Sequence, residues 1–317
     1  MGGGDRPGFS VIVPSYSRPA RLARCLRALG SLDYPPELYE IIVVDDGSEA
    51  PHEVTMKELC REAGVPLLRQ ANAGPAAARN AGAALARGSY LAFVDDDCEP
   101  ARDWLTKLAR HVDSTPDAAI GGHTVNRILD NPYSAASQAL IDYLYFYYGD
   151  DGGTRRRFFT SNNFAVSKDA FRAVGGFDET FPFAAGEDRE FCDRWIDHGH
   201  ALVYAADAIV YHSHVMTFHG FCRQHFNYGR GALRFHRARA RRGVGGVRLE
   251  PIRFYTDLLA WPFAGRTRTG GAVLSALMIV TQVANAAGFF YEAALQAGGR
   301  PAARGQRAAQ RPDAEKD

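Results

Sequence analysis

Acidic residues stand in blocks at two places where an apolar run of this 317-residue chain ends. Asp45 and Asp46 follow "YEIIVV", and Asp95, Asp96 and Asp97 follow "YLAFV". Adjacent carboxylates repel one another, so such a block commonly marks a solvated loop. Carboxylates are also the usual ligands of a hydrated divalent cation, which in turn binds phosphates. A solvated acidic turn and a metal–phosphate site are therefore the two interpretations of these blocks.

The elements that carry these blocks alternate between strand-like and helix-like patterns. Apolar, β-branched runs predict strands at "FSVIVPS", "YEIIVVDDGS", "VPLLRQ" and "SYLAFV". Between them, "RPARLARCLRALGS", "HEVTMKELCREAG" and "GPAAARNAGAALARG" predict helices. This alternation predicts an α/β fold with a Rossmann-like, mostly parallel sheet and helices on both faces. Ligands of such sheets bind beyond the carboxyl ends of the strands, where both acidic blocks stand. The metal–phosphate interpretation is therefore favoured.

Bulk composition excludes some classes of protein. The chain is 46% hydrophobic with a net charge of +1, which favours a globular protein and argues against a nucleic-acid partner. Its five cysteines are scattered and lack the spacing of a zinc site, so we expect them to be reduced. The start "MGGGDRPGF" contains no apolar signal region. These features predict a cytoplasmic protein.

Six segments in order identify a family resemblance. They are "SVIVPSYSRPARLARCL", "EIIVVDDGS", "ANAGPAAARNAG", "YLAFVDDDCEP", "GGFDETF" and "GEDREFCDRW". Together they resemble glycosyltransferase family 2, over roughly residues 9 to 215. The resemblance implies a GT-A fold and an inverting transferase. It also implies a nucleotide-diphosphate sugar as donor, usually a UDP-sugar, with Mg²⁺ or Mn²⁺ as cofactor.

The resemblance implies a role for each acidic strand end. Asp95 and Asp97 match the D-x-D motif of the family, in which Asp97 holds the metal and Asp95 faces the ribose or the water shell of the metal. Asp45 matches an aspartate that contacts the base or ribose, although "DDGS" is also good turn chemistry, and Asp46 is expected to be structural. His212 and His214 alternate after a strand-like run, and His212 is expected to meet the metal or the diphosphate.

Further residues match donor-binding segments of the family. The loop expected against the nucleobase contains Pro14, Ser15 and Tyr16. The segment "N-x-G…R-N" supplies Asn72, Gly74 and Arg79, of which Arg79 is expected to approach the nucleotide. Arg230 is expected to contact the diphosphate as a loop closes, and a solvated arginine on a helix surface is its alternative. Processive relatives carry Q-x-x-R-W where this chain has "QHFNY", which argues against processive polymer synthesis.

The general base is predicted in "GEDREF". Asp188 is the first choice and Glu187 the second, because a helix N-terminus favours an ionised carboxylate that can accept the proton of the acceptor hydroxyl. Ordinary enrichment of acidic residues in a first helical turn is the alternative. Two other classes of function stay open. A sugar nucleotidyltransferase would need a glycine-rich loop after the first strand, and a catalytically silent nucleotide-sugar-binding membrane protein would need no base.

The chain divides into four predicted regions. Residues 1–8 form a flexible N-terminus, and residues 9–242 form the GT-A domain, with a nucleotide-sugar part at about 9–100 and an acceptor part at about 101–242. A helical C-terminal extension at 243–297 and a disordered tail at 298–317 follow.

Residues 271–291 contain no charged residue and are long enough to cross a bilayer, but polar side chains interrupt them. The preceding stretch, 208–249, contains no acidic residue and many arginines. We therefore expect a peripheral enzyme on the inner face of the membrane. Its acceptor is expected to be a carbohydrate, a lipid-linked molecule or another hydroxyl compound. Helices that close over the catalytic domain or form a dimer contact are the alternative.

Overall fold

The computed structural model describes residues 7–149, 158–247, 249–264 and 268–297. The strands are β1 (Phe9–Ser15), β2 (Tyr39–Asp45), β3 (Leu67–Arg69), β4 (Tyr90–Phe93), β5 (Cys98–Pro100), β6 (Ala119–Asn126), β7 (Phe164–Ser167) and β8 (Leu202–His212). The helices are α1 (Pro19–Leu29), α2 (His52–Glu62), α3 (Pro75–Leu85), α4 (Trp104–Ser114), α5 (Pro132–Tyr147), α6 (Lys168–Val174), α7 (Glu187–Asp197), α8 (Phe218–Arg241), α9 (Ile252–Ala260) and α10 (Arg268–Ala297). The predicted disordered tail and residues 1–6 of the predicted flexible N-terminus lie outside the described residues.

The eight strands form one sheet in the order β3-β2-β1-β4-β7-β6-β8-β5. Among the described residues, four of the seven strand pairings are parallel, including all three that join β1, β2, β3 and β4. The antiparallel pairings involve β7 and β5. The predicted α/β fold with a mostly parallel sheet is therefore confirmed, and so is the helical C-terminal extension.

Helices cover both faces of the sheet, which is why its central strands contain continuous apolar runs such as Val11–Val13 of β1 and Leu91–Phe93 of β4. Val11 and Val13 of β1 join one buried cluster, while Ile12 between them joins the cluster on the opposite face. The first cluster contains side chains of α1, α2 and α4, and the second contains side chains of α3, α6 and α7. Alternate residues of a strand point to opposite faces, so a sheet covered twice needs a continuous apolar run.

Strand register brings the acidic blocks to one edge. Ser15 and Asp45 are partners at the ends of β1 and β2. Beyond β4, the amide of Val94 donates to Ile12 O, which carries the chain to the same edge before Asp95. The ligand-binding edge expected from the sequence is therefore formed by the ends of β1, β2 and β4.

The C-terminal helices pack against the rest of the protein. A small buried cluster joins Tyr143 of α5, Leu258 of α9 and Met278 of α10. Helix α10 also crosses α8 at backbone contact: a Cβ placed on Gly288 would lie 1.8 Å from Phe226 O. Such an approach is open only to a residue without a side chain.

Candidate active site

A cleft of about 3230 Å³ lies along the carboxyl edge of the sheet. It is larger than the roughly 300–1,000 Å³ of a typical single-ligand pocket, so it has room for two substrates. The predicted site residues that line this central cleft are Tyr16, Asn72, Arg79, Asp95, Asp97, Glu187, Asp188, His212 and Arg230. Pro14, Ser15, Asp45 and Gly74 do not line it, but they belong to the strands and loops that form its wall.

The three adjacent aspartates each face different partners. Asp95 Oδ1 accepts a hydrogen bond of 2.7 Å from Arg79 Nη2 on α3. Asp96 Oδ2 accepts one of 2.6 Å from the hydroxyl of Ser15. Asp97 Oδ2 accepts one of 3.1 Å from Arg21 Nη1 on α1. Because these partners lie in different directions, the repulsion between neighbouring carboxylates is offset by separate polar contacts.

Asp97 and His212 are brought together by strand pairing. His212, the last residue of β8, is the antiparallel partner of Cys98, which follows Asp97. His212 Nε2 consequently lies 3.2 Å from Asp97 Oδ1. Burial alone would raise the pKa of Asp97, but His212 and His214 hold it well below its ordinary value. Asp97 is thus an ionised carboxylate beside an imidazole.

Asp96 was not predicted as a site residue, although it is almost fully buried. Besides Ser15, its carboxylate lies 3.5 Å from Arg18 Nη1, at the start of α1. Burial raises the pKa of Asp96 to about 6. The available signal was the alternation of neighbouring residues, which turns Asp96 away from Asp95 and Asp97. Asp96 anchors the aspartate turn to the end of β1.

Arg79 joins the aspartate turn to the second acidic motif. Its guanidinium is buried, with Nη1 3.1 Å from Glu187 Oε1 and Nη2 2.7 Å from Asp95 Oδ1. It also lies over the ring of Phe177, 5.7 Å from the centroid. The sequence predicted an approach to the nucleotide, whereas the contacts present are with these two carboxylates.

Glu187 and Asp188 open α7, which follows Gly186 in the left-handed region with φ of +89°. Glu187 is buried beneath Arg79, and Asp188 is half-buried and reaches the cleft. Asp188 Oδ1 accepts a hydrogen bond of 2.7 Å from the amide of Arg189. Burial raises the pKa of both carboxyl groups. Of the two, Asp188 has the more accessible carboxylate.

Asp45 and Asp46 differ in their surroundings. Asp46 accepts hydrogen bonds from Gln70 Nε2 and from the amides of Ala73 and Gly74, so it holds the loop before α3. Asp45 Oδ1 accepts from the amide of Ser48. Its buried Oδ2 lies 3.4 Å from Arg69 Nε but has no hydrogen-bond partner in the part of the chain that the structure describes. An oxygen in this state can accept a donor from a ligand.

The remaining predicted donor-side residues surround these carboxylates. Pro14 and Ser15 end β1, and Tyr16 is half-buried at the wall of the cleft. Gly74, with φ of +95°, precedes Pro75 at the start of α3. A Cβ at Gly74 would lie 3.2 Å from Pro182 O, so this loop contacts the segment that leads to Glu187. Asn72 is exposed at the rim.

Arg230 has different partners from those predicted. Its Nε donates to Glu292 Oε2 of α10 at 2.9 Å, and its guanidinium lies 4.3 Å from the ring centroid of Phe183. In the segment that replaces Q-x-x-R-W, Gln224 Nε2 donates to the hydroxyl of Tyr228 at 2.7 Å. Diphosphate contact by Arg230 stays a prediction.

The donors at the aspartate turn fit a divalent cation. Ligand atoms of Asp97, Cys98 and His212 lie within 4.8 Å of one another. A carboxylate and an imidazole are ligands that Mn²⁺ accepts, whereas Mg²⁺ prefers oxygen. Burial raises the pKa of the Cys98 thiol well above its ordinary value, so this sulfur stays protonated and is a poor ligand. Asp97 and His212 are therefore the fitting pair.

Comparison with known proteins decides the family. Residues 10–175, more than half of the chain, match the sequence profile of glycosyl transferase family 2. The chain belongs to glycosyl transferase family 2. The predicted resemblance is thus confirmed, and the family 2 assignment makes the protein a glycosyltransferase rather than a nucleotidyltransferase. Residues 154–230 also match the N-terminal domain of galactosyltransferase, and this match includes Glu187 and Asp188.

Curated relatives of this family 2 protein are glycosyltransferases. It is 29% identical over 237 residues to glycosyltransferase AglE of Haloferax volcanii, covering 72% of this chain and 73% of AglE. It is 31% identical over 209 residues to the pre-mycofactocin glycosyltransferase of Mycobacterium tuberculosis, covering 65% of this chain and 42% of that protein. This chain therefore matches less than half the length of the mycobacterial relative.

Solved structures show the same GT-A fold. The mannosyltransferase PcManGT from Pyrobaculum calidifontis, in complex with GDP-Man and Mn²⁺, is 17% identical with a TM-score of 0.59, over 88% of this chain and 87% of that one. Residues 1–349 of TarS from S. aureus, in complex with UDP-GlcNAc, are 16% identical with a TM-score of 0.52, over 92% of each chain. At these identities the similarity establishes the fold.

Proposed function

We propose that this protein is a metal-dependent, inverting glycosyltransferase that moves a sugar from a nucleotide-diphosphate sugar, a UDP-sugar, to an acceptor hydroxyl. Asp188 is the general base. One observation carries the proposal: Asp188 lines the same cleft as the Asp97–His212 pair. A proton acceptor and a metal–phosphate site therefore face one space that has room for donor and acceptor together.

The donor side of the site is the edge formed by β1, β2 and the aspartate turn. Asp45 Oδ2 accepts a hydroxyl of the ribose or a donor of the base, and Tyr16 packs on the base. Asp97 and His212 would hold Mn²⁺ or Mg²⁺, and Asp95 faces the same region. A bound divalent cation neutralises the charge that develops on the departing diphosphate. The ligands of PcManGT and TarS, GDP-Man with Mn²⁺ and UDP-GlcNAc, support a nucleotide-sugar donor.

The transfer step uses Asp188 as the proton acceptor. The acceptor oxygen attacks the anomeric carbon of the sugar, and its O–H proton moves to the Asp188 carboxylate. The bond between the anomeric carbon and the diphosphate oxygen breaks, and the nucleoside diphosphate leaves with the electron pair of that bond. A single displacement of this kind inverts the configuration at the anomeric carbon.

Glu187 is the weaker choice for the base because it is already engaged. Its Oε1 pairs with Arg79 at 3.1 Å, its Oε2 is buried without a hydrogen bond among the described residues, and only 3% of its surface is exposed. A base must lie within hydrogen-bond distance of the acceptor hydroxyl. The half-buried Asp188 side chain is better placed for this than the buried Glu187 side chain. Glu187 instead holds Arg79 and, through it, Asp95.

Thermal unfolding in the presence of nucleotide-sugars tests the donor assignment. The full chain is heated with UDP-sugars and GDP-sugars, each with Mn²⁺, with Mg²⁺ and with a chelator. We expect UDP-sugars with Mn²⁺ to raise the melting temperature most, because a ligand of the native state stabilises it by mass action. Equal melting temperatures with and without every nucleotide-sugar and metal would contradict the proposal.

We also propose that the outer face of α10 rests on a membrane and that the acceptor is lipid-linked or close to the membrane. Helix α10 is long and apolar enough to span a bilayer. Eleven positions between 272 and 297 are exposed, and each has an apolar or aromatic side chain. They are Ala272, Val273, Ala276, Ile279, Val283, Ala286, Ala287, Phe290, Tyr291, Ala294 and Ala297.

The polar side chains of α10 from residue 271 onward are buried or half-buried instead. Between 271 and 297 none of the six is exposed; they are Ser275, Thr281, Gln282, Asn285, Glu292 and Gln296. A surface helix of a water-soluble protein has the opposite arrangement, with polar residues outside. The polar interruptions that weakened the membrane prediction are therefore compatible with an apolar outer face.

Packing and charge favour a helix that lies in the interface. Helix α10 contacts α8 at positions 285, 288 and 292, and crossing a bilayer would break these contacts. Arg237, Arg241, Arg253 and Arg268 are exposed on α8, α9 and the start of α10. Near an anionic membrane surface each such arginine contributes on the order of 1 kcal/mol of attraction. A peripheral enzyme on the inner leaflet fits both features.

A further inference from the structure

Glu292 is a buried carboxylate on α10 that faces two arginines of α8. Its Oε2 accepts from Arg230 Nε at 2.9 Å, and its Oε1 lies 2.6 Å from Arg234 Nη2. Gln296 Nε2 also donates to Oε1, at 2.7 Å. Although burial would raise it, these partners lower the pKa of Glu292. The carboxylate is therefore ionised and binds both arginines at once.

The same two arginines hold the segment that leads into α7. Arg234 Nη1 donates to Thr180 O at 2.8 Å. The Arg230 guanidinium lies 4.3 Å from the ring centroid of Phe183, within the range of a cation–π contact. The chain from Thr180 to Gly186 ends at Glu187 and Asp188, so its position determines where Asp188 lies.

Backbone contacts on two sides fix α8 between this segment and α10. A Cβ on Gly231 would lie 2.1 Å from Ala185 O, and one on Gly229 would lie 1.8 Å from Asn285 O. Helix α8 thus contacts the residue before Gly186 on one side and α10 on the other. Because these backbones are in contact, this layer cannot absorb a shift of α10 or of the arginine side chains without moving neighbouring residues.

We infer that Glu292 is a positioning residue for the active site, so that α10 contributes to the geometry of the catalytic domain. Glu292 binds Arg230 and Arg234. These arginines fix residues 180–186, and that segment determines the position of Asp188. This inference rests on the proposed role of Asp188. It assigns Arg230 to the placement of the base.

The proposed metal ligands and Asp45 are held by other elements: Asp97 is bound by Arg21 and His212, and Asp45 by Ser48 and Arg69. The chain of contacts meets the donor side at Gly74, near Pro182 O, and at Arg79, through Glu187. Loss of the Glu292 charge leaves two partly buried arginines without their carboxylate, which favours their movement toward solvent. A displaced base on a site that still binds donor lowers kcat and leaves the donor KM unchanged.

The test compares Glu292→Gln with Glu292→Asp in the full chain. We expect Glu292→Gln to lower kcat by about 10- to 100-fold, as small misplacements of catalytic groups do, with an unchanged KM for the nucleotide-sugar. Glu292→Asp keeps the charge and should recover part of the loss. Phe183→Leu removes the ring beside Arg230 and leaves the sequence of α10 unchanged. This variant should show the same selective loss of kcat.

Thr281→Val is the matched control on the same helix. Thr281 is as buried as Glu292, and among the described residues its hydroxyl bonds only within α10, to Met278 O and Gln282 Nε2. The Thr281→Val variant should keep the wild-type kcat. If Glu292→Gln does not fold, Phe183→Leu and Glu292→Asp provide the comparison. Wild-type kcat in Phe183→Leu, or equal losses in Thr281→Val and Glu292→Gln, would overturn the inference.

Hydrogen exchange separates this inference from the proposed function. We expect the amides of residues 180–187 to exchange faster in Glu292→Gln than in the wild type, with no change at residues 95–98. Absence of transferase activity in the wild type would contradict the proposed function, whereas the exchange rates test the positioning role independently of activity. Unchanged exchange at residues 180–187 would overturn the positioning role even in an active enzyme.

Discussion

Arg79 Nη1 lies 3.1 Å from Glu187 Oε1, which joins two motifs that are 108 residues apart in the chain. Through Nη2 the same guanidinium binds Asp95 at 2.7 Å. The donor side and the acceptor side of the cleft are therefore connected by one buried side chain. This bridge sets the position of the proposed base relative to the proposed metal site.

Replacing this bridge should destabilise the fold. Arg79→Met leaves the buried Glu187 carboxylate without its cation, and we expect the free energy of unfolding to fall by about 3–5 kcal/mol. Denaturation by urea, followed by circular dichroism, measures the loss. Arg87→Met, which removes an exposed ion pair with Glu40, is the control and should change stability little. Equal free energies of unfolding for the two variants would contradict a stabilising role for the Arg79 bridge.

The metal site is tested at Asp97. Asp97→Ala should abolish Mn²⁺-dependent binding of UDP and most transferase activity while the fold persists, because the residue lies in a turn after β4. Titration calorimetry with and without Mn²⁺ measures the binding. Cys98→Ala is the control and should keep metal-dependent binding, since its thiol is protonated. If Asp97→Ala bound UDP with Mn²⁺ as tightly as the wild type does, the assignment would be wrong.

Activity should fall as the pH is lowered through the pKa of Asp188. Burial raises this pKa above its ordinary value of about 3.9, and a protonated carboxyl cannot accept the hydroxyl proton. The groups that face Asp188 are Glu187, Arg79, Asp95, Arg189, Tyr145, Cys192 and Tyr228.

A profile of kcat/KM against pH measures the effect, with UDP binding followed over the same range to separate loss of the donor from loss of the base. We expect an acidic limb at a pH above the ordinary pKa of an aspartate side chain, with a contribution from Glu187, whose pKa burial raises to about 7. Activity without an acidic limb would remove Asp188 from the role of base.

Membrane binding is tested on the outer face of α10. We expect Ile279→Asp with Val283→Asp to abolish flotation of the full chain with anionic liposomes, because both side chains are exposed and apolar and neither lines the cleft. Val54→Asp is the control, since Val54 is also an exposed apolar residue but lies on α2. A dimer of the wild type that the double variant converts to monomer, without any flotation, would assign the face to a second copy of the chain.

Local patterns predicted the elements of the nucleotide-sugar half well. β-Branched runs and helical spacing located β1, β2 and β4 and the helices between them, because a sheet covered on both faces leaves a strong apolar signal. The edge that carries Asp45 and Asp95–Asp97 followed from the parallel arrangement. The family resemblance then supplied roles that spacing alone cannot supply.

Long-range partners were not predictable in the same way. Arg21 binds Asp97 across 76 residues, and Arg230 binds Glu292 across 62 residues, and no periodic pattern links either pair. The sequence also indicated the polar residues of α10 as interruptions, but only the packing of α10 in the fold shows that they are buried or half-buried. Pairings of this kind depend on how separate elements dock.

Turnover by Asp188→Asn tests the central claim most directly. The amide keeps the shape of the side chain and removes the proton acceptor. With a UDP-sugar and Mn²⁺, we expect release of nucleoside diphosphate to fall by about 10²–10⁴-fold, while calorimetry shows donor binding equal to that of the wild type. Near-wild-type turnover in Asp188→Asn, with Glu187→Gln inactive instead, would contradict the account and assign the base to Glu187.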